Sequence, residues 1–104
     1  MAMPLAAAEV EGYLIDKKCS AKVVTEGGDA AKAHTADCAL MPDCKASGYG
    51  VVSEDGKFLN FDEGGSEMAV TILELEKGND SVKVAVNGTI KGDTIEVVAI
   101  QLSF

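Results

Sequence analysis

The last quarter of the chain constrains the fold more than any other stretch. Val82, Val84, Val86, Gly88 and Ile90 alternate with Ser81, Lys83, Ala85, Asn87 and Thr89. A period of two sends successive side chains to opposite faces, so this is a strand buried on one side. Lys91-Gly92-Asp93 turns the chain, and Thr94 to Phe104 returns. Along the return the buried parity switches, from Ile95 and Val97 to Val98, Ile100 and Leu102. One extra residue near Val97-Val98 explains the switch, and such a bulge bends a strand around a small barrel. Asn87-Gly88 is a competing hairpin turn in the same stretch.

The rest of the chain supplies the partners. Val10 to Asp16 reads as a first strand, with Gly12 marking a bulge or a close approach of two backbones. Lys17 to Gly28 reads as a loop, and Asp29 suits the N-cap of an alanine-rich helix from Ala30 to about Leu40, stopped by Pro42. Tyr49 to Ser53 and Lys57 to Phe61 form a hairpin around Glu54-Asp55-Gly56. Gly64-Gly65-Ser66 opens the segment Glu67 to Lys77, which reads as a helix because Met68, Ile72 and Leu75 share a face. Its Val70-Thr71-Ile72 run also suits a strand. The expected fold is mainly β (α+β). It is a small five-stranded OB-like barrel, with a helical insertion after strand 1 and a helix between strands 3 and 4. At 104 residues the chain is one domain by length, taken as 9–104 after an apolar arm at 1–8.

That arm, Met1 to Ala8, is apolar, small and uncharged. Ala6 and Ala8 fit an A-x-A cleavage signal, although the charged start and long apolar stretch of a full signal peptide are absent. Read as the remnant of an export signal, it places the protein outside the cytoplasm, in a periplasmic or extracellular setting that allows disulfides. Read otherwise, it is a leader foreign to the fold. Such an arm, through Pro4, Leu5 and Val10, also suits strand addition to another copy of the chain, a contact that propagates as a homopolymer or fibre.

Charge narrows the partners. Nine basic residues against seventeen acidic ones leave a formal charge of -8. That balance repels phosphate backbones and argues against nucleic acid, as do five aromatics with no Trp. No apolar run approaches the roughly 20 residues of a membrane-spanning helix, so membrane insertion is not expected.

The residues with the most chemistry are Cys19, His34, Cys38 and Cys44, which include every cysteine and the only histidine. His34 and Cys38 stand one turn apart on the expected helix, Cys44 follows the break at Pro42, and Cys19 follows the first strand. Converged, the four suit tetrahedral zinc, or copper(I) if Met41 joins them. The first alternative is a disulfide framework, since two of three cysteines usually pair in an oxidising compartment. The spacing H-x3-C-x5-C is no standard zinc-finger or zinc-ribbon spacing, C-x-x-C is absent, and without C-x-x-C-H there is no covalent haem.

Catalysis finds little support. G-x-S-x-G is absent, and a Cys38–His34 nucleophilic pair would tend to oxidise outside the cell. Asp16, Asp37, Asp43, Asp55, Asp62 and Glu63 read as solvated surface charges. Asp62-Glu63 beside two glycines lacks the EF-hand ligand pattern, and neither glycine pair matches a phosphate-binding loop.

Gly12-Tyr13-Leu14-Ile15-Asp16, then Cys19, His34, Cys38 and Cys44, then Val84-x-Val86-x-Gly88 and Gly92-Asp93-x-Ile95 resembles a group of small, largely uncharacterised exported bacterial proteins. The resemblance implies export and an OB-like barrel with a D-x-x-C…H…C…C insertion. No activity comes with it. The expected function is a non-enzymatic exported binding or structural module, with self-assembly as the alternative.

Overall fold

The computed structural model describes residues 7–20, 36–53, 56–77 and 82–103. Five strands carry the fold: β1 (Ala7–Asp16), β2 (Tyr49–Ser53), β3 (Phe58–Phe61), β4 (Lys83–Lys91) and β5 (Thr94–Leu102). Helices α1 (Ala36–Ala39) and α2 (Pro42–Ser47) lie between β1 and β2, and α3 (Glu63–Leu75) lies between β3 and β4. A helical turn at residues 17–20 follows β1 directly. The mixed five-stranded sheet, with helical insertions after β1 and between β3 and β4, follows the order that the sequence implies.

The strands run in the order β1-β2-β3-β5-β4, and β4 also pairs with β1. β1 is shared. Its residues Ala7–Tyr13 pair with β4 and Gly12–Asp16 pair with β2, both antiparallel. The change of partner falls at Gly12, where the backbones crowd. A Cβ there would stand 2.1 Å from the Val52 carbonyl oxygen. Of the two sequence readings for Gly12, close approach is the one realised.

The sheet closes into a five-stranded barrel, as the sequence implies, and its narrowest seam is the junction of β3 and β5. Those strands meet in parallel through only two residue pairs, Asn60–Thr94 and Phe61–Ile95, and this short contact closes the barrel. The seam is short because β3 is short. After Phe61 the chain leaves through Asp62 into α3, and the helix start covers the rest of the β5 edge. The Asp62 carboxylate accepts from the Gly65 N–H at 3.0 Å and the Val97 N–H at 3.3 Å. One side chain thus caps the helix and satisfies a strand amide that β3 is too short to reach.

The hairpin of β4 and β5 carries the bulge that the parity switch implies. Asn87 faces Ala99 and Gly88 faces Val97, which leaves Val98 as the extra residue. Val98 is 72% exposed, so the inward set resumes at Ile100, not at Val98. Gly88 pairs with Ala8 and Val97 inside the sheet, so the competing Asn87-Gly88 turn is not formed.

α3 begins at Glu63 with Asp62 as its N-cap, earlier than its glycines suggest, and its buried face differs in part from the expected one. Gly65, Ala69 and Leu73 face inward and Ile72 packs at the margin of the core as expected, while Met68 and Leu75 are exposed. Gly65 and Ala69 let the helix axis approach the sheet, and Leu73 fills the core one turn further on. Leu14, Tyr49, Val51, Phe61, Leu73, Val84, Val86 and Ile95 fill the main core. Pro42 starts α2 as much as it ends the helix before it, in keeping with proline at a first helical position. Residues 30–35 of the expected alanine-rich helix lie outside the described residues, and only Ala36–Ala39 of it is described as helical.

Among the assembly residues, Pro4 and Leu5 lie outside the described residues. Val10 pairs with Val86 of its own chain, and Ala7 and Ala8 pair with Thr89 and Gly88. This part of the arm completes its own sheet.

Candidate metal centre

β1 ends in the buried pair Ile15 and Asp16. Leu14 and Asp16 are two residues apart and therefore share the inner face of the strand. Asp16 is the only charged or polar residue wholly withdrawn from solvent among the described residues, at 0% exposure. Its Oδ2 accepts from the Cys19 N–H at 3.0 Å, which caps the turn at residues 17–20. That cap turns Cys19 back over the strand end. The turn is then tied to the far side of the insertion, because the Lys17 N–H donates to the Gly48 carbonyl at 2.8 Å and the Lys18 N–H to Ser47 Oγ at 3.1 Å.

Those ties bring α2, and Cys44 on its buried face, to the same place. One carboxylate oxygen of Asp16 and the sulfurs of Cys19 and Cys44 lie within 4.8 Å of one another. Cys44 is buried and Cys19 half-buried. The Tyr49 ring lies in the core beside them, and its hydroxyl donates to the Ala39 carbonyl at 2.7 Å, fixing α1 to the sheet.

The cluster differs from the expected set. Cys19 and Cys44 meet. Cys38 does not join them, because the inward residues of α1 are Ala36 and Ala39, and Cys38 faces outward. His34 lies outside the described residues. Asp16, expected as a surface charge, is the third member. Its signals were available in the alternation from Leu14 and in the D-x-x-C spacing, which places a cap acceptor three residues before the amide that it receives. The disulfide framework also needs correcting. Cys19, Cys38 and Cys44 form no disulfide. The facing pair meet as hydrogen-bonded thiols, each also bonded to Asp16, and Cys38 has been carried away from both.

No family model, curated protein or solved structure matches this chain. The resemblance to small exported bacterial proteins therefore stands without a matching family. Of its pattern, Asp16, Cys19 and Cys44 are the residues that meet in space.

The electrostatics follow from three acids sharing one small volume. Burial pushes the Cys44 thiol up to about 11, and the Asp16 charge and hydrogen bond, then Cys19, add to the rise. Cys19 is raised by burial first and by Asp16 next, opposed by its bond from Cys44 and by Lys18. Tyr49 is pushed up to about 12 by burial, then by Asp16, Cys44 and Glu74. Without a cation both thiols therefore keep their protons at neutral pH, and a divalent ion must displace them.

This has a measurable consequence. Folded Cys44 holds its proton to about 11, whereas the unfolded chain releases it near 9.0. Between those values the folded state binds more protons, so its stability falls as pH rises. Urea unfolding of the metal-free protein is expected to show stability lost progressively from pH 9.0 to about 11. Cys44→Ala should reduce that slope, the remainder coming from Cys19 and Tyr49, which are raised as well, and a slope unchanged in the variant would contradict the assignment.

Among the described residues, no helix is long and apolar enough to span a bilayer.

Proposed function

We propose that the protein is a non-enzymatic binding module that holds a zinc ion through Asp16, Cys19 and Cys44, and that the ion fastens the helical insertion to the end of β1. The convergence of these three ligand atoms within 4.8 Å carries the reading. Zinc accepts thiolate and carboxylate together, whereas copper(I) favours an all-soft set. The soft donor nearest in sequence, Met41, is 56% exposed, which favours zinc over copper. Three protein ligands leave one tetrahedral position for water or a neutral donor.

Burial supports a structural role over a catalytic one. Asp16 is wholly covered and already caps residues 17–20, and Cys44 is 6% exposed. The cross-link would join segments separated by the long insertion, where closing a loop removes the most freedom from the unfolded chain. Self-assembly by the N-terminal arm is the weaker reading, because residues 7–10 are committed to β4 of the same chain.

Cobalt(II) titration of the reduced protein under anaerobic conditions tests the proposal. The expected result is one ion per chain, with a thiolate-to-metal charge-transfer band and tetrahedral ligand-field bands. Cys38→Ser should leave the spectrum intact, because Cys38 lies outside the cluster. No binding, or binding lost through Cys38→Ser alone, would overturn the proposal.

A further inference from the structure

We propose that the cleft between α2 and α3 binds a small zwitterion of the free amino acid or short peptide class, with its carboxylate toward Lys17 and Ser66 and its ammonium toward Glu63 and Glu67. The cleft encloses about 430 Å3. Gly48, the residue after α2, has φ +87, a conformation that side chains disfavour. An alanine Cβ there would lie 3.4 Å from Lys17 Cε, Lys17 Nζ and Ser66 Oγ alike. An ammonium and a hydroxyl therefore border one small space that the missing side chain keeps open.

Among the described residues, both groups have unused donors. Lys17 is half-buried as a residue, and its ammonium makes no ion pair or side-chain hydrogen bond among the described residues. Ser66 Oγ accepts from the Tyr49 N–H at 3.1 Å, which leaves its own proton to donate. Carboxylates accept such a pair of donors, and the bond to a charged amine is the stronger kind.

The other charges select the ligand. Lys45 also lines the cleft, but it is turned to Glu74 at 3.7 Å. Glu63 and Glu67 line the cleft from exposed positions that flank Ser66 on the same face of α3, and the Asp62 carboxylate is occupied by two amides. Three acids against two lysines repel a dianion such as phosphate. A monoanion that carries its own positive charge meets both signs of charge in the lining.

Amide chemical-shift titration with glycylglycine tests this, with N-acetylglycine and inorganic phosphate as comparisons. The dipeptide is expected to shift the Gly48 and Ser66 amides saturably. N-acetylglycine, which lacks the ammonium, should bind several-fold more weakly, and phosphate should give no saturable shift. Lys17→Met should weaken dipeptide binding by about tenfold or more. Should that variant not fold, Ser66→Ala is read in the same way, with a smaller loss. Glu67→Gln should weaken the dipeptide and not N-acetylglycine. Absence of saturable shifts, equal affinity in the folded Lys17 variant, or preference for phosphate would each overturn the proposal. Zinc is absent from all these titrations, so the result is independent of the metal centre.

Discussion

Replacing Cys44 by serine is expected to cost about 100-fold in zinc affinity. Structural zinc binding amounts to roughly 10–16 kcal/mol in small domains, so one ligand among four carries about 3 kcal/mol, or two decades. Serine has nearly the shape of cysteine and can still donate to Asp16, so the buried face of α2 keeps its packing. The loss then reports the missing thiolate and not a collapsed helix. Asp16→Asn should cost less, about tenfold, because two effects oppose each other. An amide is a poorer ligand than a carboxylate. Yet removing the negative charge eases deprotonation of Cys19 and Cys44, both of which Asp16 raises. The asparagine Oδ1 can still accept from the Cys19 N–H, so the cap at residues 17–20 persists. Competition against a chelator of known affinity measures both variants. Wild-type affinity in Cys44→Ser would rule out the centre.

The second large effect concerns the sheet. Gly12→Ala is expected to destabilise the protein by about 3 kcal/mol or more, beyond the usual range for an overpacked site. The new methyl would stand 2.1 Å from Val52 O, 2.7 Å from Val52 C and 3.0 Å from Ser53 Cα. All three are backbone atoms, so no side chain can rotate aside, and relief requires parting β1 from β2. That would also disturb the strand end bearing Asp16. Against a typical total of about 5–15 kcal/mol, the loss is a large fraction. Gly64→Ala is the matching control with the opposite sign. Gly64 is exposed in α3 and a Cβ there meets nothing within 4 Å. Alanine should add about 0.5–1 kcal/mol through its helix preference. Urea midpoints at constant slope distinguish the two, and a Gly12→Ala midpoint within error of wild type would contradict the packing described here.

These two sites show which parts of the molecule its sequence makes legible. Gly12 announced a close approach by standing inside a strand pattern, and the Val97-Val98 parity switch located the bulge to within one residue. Both signals are local, because a strand has a period of two and departures from it are visible. The junction of β3 with β5 has no such local signal, since its two residue pairs join segments more than thirty positions apart. The buried face of α3 misled for a different reason. Hydrophobicity favours Met68 and Leu75, but a helix lying close to a sheet turns Gly65, Ala69 and Leu73 inward. Asp16 was hidden by a sound general rule, that carboxylates stay in water. Its partners overturn that rule here. A capped amide and two thiols satisfy the group inside the protein, and charge alone gives no notice of them.

X-ray absorption at the zinc edge of the loaded protein gives the most direct reading of the centre. The expected shell contains two sulfur atoms at about 2.3 Å and oxygen or nitrogen at about 2.0–2.2 Å, four ligands in all. Cys44→Ser should reduce the sulfur count to one, and Cys38→Ser should leave it at two. A shell of oxygen and nitrogen alone, or a second sulfur that disappears with Cys38, would contradict the meeting of Asp16, Cys19 and Cys44 on which the account depends.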